Sequence, residues 1–301
     1  MRIVSLLASA TEIVCALGAG GMLVGRSHEC DNPEWVRALP ACSEPAFDIT
    51  VSSGSIDAEV RRRIAAGEEL YRIDAEKIAS LEPDLVIAQT HCEVCAVTPE
   101  GVRRAGSTAP VLRLSAFTVD EIFESVRQVA ARLGVAERGA EVIRQERERL
   151  RMVREKTAGC GRPSVMVLEW TDPLFAIGNW GPELVEAAGG DVRIGESGVY
   201  STTLPPEALQ HADPEFLIVA PCGFTLDRSM EEQATLEKSP WWSGLRAVRE
   251  GKVAFADGNR FFNRSGMTIA RTAEIIAEIL HGVTFGEPAK GVDYRWIGET
   301  A

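Results

Sequence analysis

The sequence has no excess of basic residues: 32 lysines and arginines face 44 aspartates and glutamates, a net charge of -12. A nucleic-acid binder needs a basic stripe to displace phosphate counterions, so this balance argues against that class. Long apolar runs are missing too, and nothing approaches the roughly 20 apolar residues of a membrane span. Low-complexity segments are absent, as are the common catalytic signatures: no GxSxG elbow, HExxH, P-loop or strand-following GxGxxG occurs. Cysteine is sparse and odd in number. Cys15, Cys30, Cys42, Cys92, Cys95, Cys160 and Cys222 do not form the dense, even framework of a small secreted protein. A reducing, cytoplasmic setting is the expectation.

What is present is a regular alternation. Short apolar runs such as IVSLL, MLVGRS, ELYRI, DLVIA and APVLRL are separated by helical patterns, which predicts a mostly parallel sheet with helices on its faces. Ser9 to Glu12 and Thr118 to Glu121 read as capping boxes, and Ser52 to Ser55 as a polar turn. The opening MRIVSLLASA superficially resembles an export signal. Its residues read better as a core strand entering a helix, so it is expected to be retained. From Ala136 to Lys156 a charged pattern carries a narrow apolar stripe, Val142, Ile143, Leu150 and Val153, and predicts a linking rod of about 30 Å. After Gly159 the alternation resumes with SVMVLEW, FLIVA and VAFAD as strands and a final helix. The predicted architecture is α/β: two α/β lobes with mostly parallel sheets, joined by a long linking helix, with a ligand cleft between them. The expected divisions are an N-terminal lobe (residues 1–115), linking helices (116–158), a C-terminal lobe (159–285) and a surface tail (286–301).

In parallel sheets ligands collect beyond the carboxyl ends of the strands. The loops SHECDNP, THCEVCAVTP, WTDPLFAIGNWGP, PCGFTLD and GNRFFNR all leave such ends. They offer Trp170, Asn179, Trp180, Cys222, Phe224, Phe262 and His91 as candidate ligand contacts. Cys92 and Cys95 have the spacing of half a zinc site, which His28 and Cys30 could complete; reversible disulfide chemistry and plain packing stay open beside it. Glu169 and Asp172 have the chemistry of an acid–base pair, but carboxylates at strand ends serve more often as caps or acceptors. No catalytic residue is assigned. His211 and His281 fall on helix ends, and Trp241 and Trp242 read as packing.

The segments RIVSLLASATEIVCALG, LVGRSHECDNP, DAEKIASLEPDLVIAQ and AVREGKVAFADGNRFFNRSG, in this order, resemble the helix-linked class of substrate-binding proteins of ABC importers, most of all its cobalamin-binding, BtuF-like group. The resemblance covers about residues 1 to 285. It implies a corrinoid or related metal chelate as small-molecule ligand, with a His or Cys able to reach the cobalt. In two respects the sequence departs from that group. It shows no export signal, and the acidic residues that meet the permease map near Cys95, with Glu93 close by, and to Asn263. Permease docking is therefore doubtful, and a cytosolic binder on the importer scaffold is the leading expectation. The alternatives are a metal- or thiol-dependent enzyme using Cys92, Cys95, His28 and Cys30, and an importer component.

Overall fold

The computed structural model describes residues 1–90, 97, 99–104, 106 and 108–299. It divides into two compact units, one of residues 1–116 and 120–144, the other of residues 117–119 and 145–301.

The first unit contains β1 (Ile3–Ser5), α1 (Ala8–Ala16), β2 (Leu23–Arg26), β3 (Ser43–Pro45), α2 (Ser53–Ala66), β4 (Tyr71–Ile73), α3 (Ala75–Ser80), β5 (Leu85–Gln89), α4 (Pro99–Arg104) and β6 (Val111–Leu114). Its main sheet is wholly parallel in the order β2-β1-β5-β6, with Ile3 between Leu23 and Leu85. Val4, Leu6, Ile78, Val86 and Val102 close one core cluster against it. β4, expected within that sheet, instead pairs antiparallel with β3 in a separate two-stranded sheet. One predicted helix start moves, and one predicted turn proves to be a helix start. α1 begins at Ala8 with no side-chain cap, so Thr11 and Glu12 lie inside the helix and turn to tertiary partners. Ser52, read as part of a turn, is the cap of α2 and accepts from the Ser55 N–H at 3.3 Å.

α5 (Val119–Leu133) and α6 (Ala136–Thr157) follow, and the division between the units falls inside α6. Val142, Ile143, Leu150 and Val153 are all buried along α6, while Arg151 on its other side pairs with Glu148 and Glu155. The narrow stripe and charged face are those read from the sequence.

The second unit contains β7 (Ser164–Thr171), β8 (Leu174–Ala176), α7 (Gly181–Ala187), β9 (Asp191–Val192), β10 (Thr202–Thr203), α8 (Pro206–Ala212), β11 (Phe216–Val219), α9 (Leu226–Glu231), α10 (Gln233–Leu236), α11 (Arg246–Arg249), β12 (Val253–Ala256), α12 (Ile269–His281) and β13 (Tyr294–Trp296). β9, β7, β11 and β12 run parallel, and β8, β10 and β13 add antiparallel strands at the margins. The sheet is therefore mixed rather than mostly parallel. Met166, Leu168, Leu217, Val219 and Phe255 form its core with Trp242. The last residues, expected as a surface tail, are part of the fold: β13 covers the edge of β12, and Asp293 and Tyr294 are buried.

Candidate functional site

In the first unit the loop after β2 is braced by Arg26, whose guanidinium donates to the carbonyls of Ser27 at 2.9 Å and Leu39 at 3.2 Å. Its sulfur-bearing residue is turned inward. Cys30 Sγ stands 3.0 Å from Thr11 Oγ1 and 3.3 Å from Ser27 Oγ, and Thr11 Oγ1 lies 2.9 Å from Ser5 Oγ. Burial pushes the Cys30 thiol up from its ordinary pKa, against the pull of the Ser27 and Thr11 hydrogen bonds. His28 faces elsewhere: its Nδ1 is 3.0 Å from Ser43 Oγ, and its ring lies 5.3 Å from that of Tyr71. Desolvation, then Arg26, lowers its pKa to about 4, so the imidazole is neutral near pH 7. His28 and Cys30, expected on one metal, thus serve different hydrogen-bond partners. Cys92, Cys95 and His91, with Glu93, lie outside the described residues. Among the described residues no three His, Cys, Asp or Glu side chains are grouped to hold a metal ion.

The second unit gathers more of the expected contacts at the carboxyl end of β7. The cysteine N–H of Cys222 donates to the Glu169 carbonyl at 3.0 Å, which seats the loop after β11 beside β7. That loop is clasped in turn by the segment after β12. Asn263 Nδ2 donates to the Ala220 carbonyl at 2.9 Å, and the Asn259 N–H to the Phe224 carbonyl at 2.9 Å. The rings of Trp170 and Phe224 meet with centroids 5.2 Å apart, and Arg228 lies 4.7 Å over Phe224. Trp170 and Cys222 are partly exposed here, whereas Phe262, only 2% exposed, is an interior residue.

Asn179 and Trp180 are not in a simple loop beyond β7. β8 turns the chain back along β7, so that the Ile177 N–H donates to the Val167 carbonyl at 3.1 Å. Asn179 there adopts φ +53°, its N–H donates to the Val199 carbonyl at 2.6 Å, and its carbonyl accepts from Gly198 at 3.1 Å. Trp180 is 4% exposed and packs at the start of α7. Tyr200, which sequence reasoning passed over, is 54% exposed beside this turn and meets Phe117 edge-on at 4.9 Å. The isolated "VY" in a Gly/Ser-rich stretch gave no periodic signal for it.

Glu169 retains some exposure while its carboxyl group is ringed by protein. This enclosure raises its pKa to about 7, with Ser201 and the Gly178 N–H pulling the other way. His211 is exposed, and His281 Nε2 lies 3.1 Å from the Ala188 carbonyl, so neither joins this edge.

A family model described as periplasmic binding protein matches residues 3–259. The chain belongs to the periplasmic binding protein family. Its business is therefore binding a substrate, which answers the enzyme alternative. The chain is 23% identical over 296 residues, 95% of its own length and 82% of the relative, to an uncharacterized ABC transporter substrate-binding lipoprotein, YvrC, of Bacillus subtilis (strain 168). Its fold is that of a periplasmic heme binding protein from Pseudomonas aeruginosa (20% identity, 94% of each chain, TM-score 0.72). It is shared also by the periplasmic vitamin B12 binding protein BtuF of Vibrio cholerae (22% identity, 93% of this chain and 96% of that one, TM-score 0.65). Among the described residues no helix is long and apolar enough to cross a membrane.

Proposed function

We propose that this member of the periplasmic binding protein family binds a corrinoid, or a closely related planar metal chelate, at the carboxyl edge of β7 and β11. The observation that carries the reading is the Trp170–Phe224 ring pair, at an edge where Trp170 and Cys222 are both partly exposed. A corrin is a broad apolar disc with an amide rim, and aromatic faces backed by a few directed polar groups suit such a ligand. Cys222, a partly exposed free thiol on the loop after β11, is the proposed cobalt ligand. The solved relatives supply heme as the rival, since their printed ligands include heme as well as vitamin B12.

The test is a visible-absorbance titration of the reduced, metal-stripped protein with hydroxocobalamin and, separately, with hemin. One saturable site for hydroxocobalamin with a shifted spectrum supports the reading, and loss of the shift in Cys222→Ser assigns the axial ligand. Saturation by hemin alone replaces it with a heme-binding role. No binding of hydroxocobalamin at tens of micromolar, weaker than roughly -6 kcal/mol, rejects the corrinoid.

The setting we propose is cytosolic. One feature supports it: among the described residues Cys15, Cys30, Cys42, Cys160 and Cys222 are free thiols. Cell fractionation decides the point. Recovery of a shortened chain outside the cytosol would make it an ABC importer component that docks on a permease.

A further inference from the structure

The ring pair at the end of β7 is part of a longer stack. Arg228, on α9, places its guanidinium 4.7 Å from the centre of the Phe224 ring, and Phe224 meets Trp170 at 5.2 Å. Three restraints hold this stack. β7 and β8 lose register between Leu168 and Trp170, a bulge at Glu169 of the kind that re-aims side chains. The Trp170 Nε1–H donates to the Asp172 carbonyl at 3.0 Å, so the indole offers its faces rather than a donor. The buried Thr171 hydroxyl donates to the buried Glu232 carboxylate, which ties the end of β7 to the end of α9.

Arg228 is not sealed in. Its side chain is 26% exposed, and Trp170 is partly exposed at the same carboxyl edge of the parallel strands β7 and β11. Arg228 pairs with Glu231, a carboxylate 64% exposed to solvent. An ion pair in such a position contributes little, because water screens it. Asp227, the other carboxylate of α9, is held 2.7 Å from Arg295. An incoming anion can therefore share or displace Glu231, and a guanidinium fork matches the paired oxygens of a phosphate or carboxylate. A cation held at a fixed offset from an aromatic face fits a ligand that is apolar over its disc and negative at one point of its rim.

We propose that Arg228 is a specificity-determining residue that binds an anionic rim group of the chelate seated on Trp170. In a corrinoid this group is the phosphate of the nucleotide loop. The inference rests on the corrinoid reading above and deepens it, since it selects a phosphate-bearing corrinoid over one without the phosphate. Heme brings rim carboxylates, the same anionic chemistry from another source, and the experiment separates the two.

The experiment is equilibrium dialysis at low salt of the full chain and its Arg228→Gln variant. The first probes are cobinamide and cobinamide phosphate, which differ only in the phosphate. The expected result is that the wild type binds the phosphate form about 10-fold more tightly, a difference near 1.4 kcal/mol. That preference should shrink as salt is raised. In Arg228→Gln the ratio should fall to about 2-fold or less. A residue that merely packed on Phe224 would weaken both forms alike and leave the ratio unchanged. An unchanged ratio, or equal binding of the two forms by the wild type, overturns the proposal.

If neither corrinoid binds, the corrinoid reading falls alone, and hemin compared with its dimethyl ester decides the role of Arg228. A wild-type preference for free-acid hemin that Arg228→Gln abolishes upholds anion recognition, and equal binding of the two overturns it. Failure of both macrocycles overturns both readings. Glu231→Gln, at an exposed position, removes the competing carboxylate and should widen the wild-type preference about 2-fold or more. It decides the matter if Arg228→Gln does not fold, and an unchanged or narrowed preference then overturns the proposal.

Discussion

Arg149 holds Glu274 with two parallel hydrogen bonds, Nε to Oε1 and Nη2 to Oε2, each 3.0 Å long. The pair lies where α6 meets α12, and it continues through Arg271 to Asp293, 2.7 Å away, just before β13. Glu146 is the odd member. It is buried, one of its oxygens has no partner, and desolvation raises its pKa in spite of Arg149.

Breaking this network from the cationic side should be expensive. Arg149→Met leaves Glu274 and Glu146 short of a counter-charge and is expected to destabilise the second unit by about 2–4 kcal/mol. Glu146→Gln removes a poorly compensated charge and should change stability by less than about 1 kcal/mol, in either direction. Urea unfolding of the two variants, followed by circular dichroism, measures the contrast.

Gly258 joins β12 to the segment that clasps the loop after β11. A Cβ there would stand 2.1 Å from the Pro221 carbonyl oxygen and 2.6 Å from the Ala220 carbonyl carbon, both backbone atoms that cannot rotate away. Gly258→Ala should therefore cost about 2–4 kcal/mol and displace the Cys222–Phe224 loop. The proposed ligand should bind more weakly in the same variant. Gly244→Ala, with nothing within 4 Å of the new atom, is the control expected to be neutral.

Two groups tie stability to pH with opposite signs. His28 has its folded pKa lowered to about 4. The unfolded chain then binds more protons, so this contribution is full above about pH 6.5 and is lost as pH falls toward 4. Glu169 has its folded pKa raised to about 7. Its contribution is full below about pH 4.5 and is lost as pH rises through 7. Each is worth at most about 2–3 kcal/mol, since both residues keep some contact with solvent. Unfolding free energies across this pH range should lose their acid-side slope in His28→Gln and their neutral-side slope in Glu169→Gln.

The thiols should react in a set order. Cys30 and Cys42 are buried, and burial raises the pKa of both, Cys42 to about 11. Cys15 is likewise held at about 11, by desolvation and then by Glu12. Cys160 and Cys222 are partly exposed. A thiol reagent near neutral pH is expected to label Cys160 and Cys222 in the native protein and to reach Cys30 only on unfolding, as mass spectrometry of the labelled peptides would show. Early labelling of Cys30 would contradict its place against Thr11 and Ser27.

Legibility in the sequence followed the length and locality of each signal. α5 and α6 were readable because a capping pattern at Thr118 and a four-residue apolar stripe repeat over many turns. The strands β1, β5, β7, β11 and β12 were readable as buried apolar runs. β8, β10 and β13 span only two or three residues each, too short for any period, and exist through pairings made elsewhere. The Asp172-Pro173 step between EWT and LFA was the available hint of the β7–β8 hairpin. Missing that hairpin hid the bulge at Glu169 and the approach of Ser201, and so the most distinctive polar group in the unit. Of the candidate metal set, only His28 and Cys30 lie among the described residues. Residue spacing brought His28 and Cys30 to one loop, but it carried no information on which way either side chain turned.

The interior position of β1 also bears on how the first unit forms. Its neighbours are β2, about twenty residues on, and β5, about eighty residues on, with Ile3 paired to both Leu23 and Leu85. One side of the strand can be zipped early, and the other must wait for a distant stretch of chain. Pairings of such long sequence separation slow the search for the native arrangement and leave an unsatisfied strand edge meanwhile. Fragments ending before Leu85 are accordingly expected to clump rather than fold.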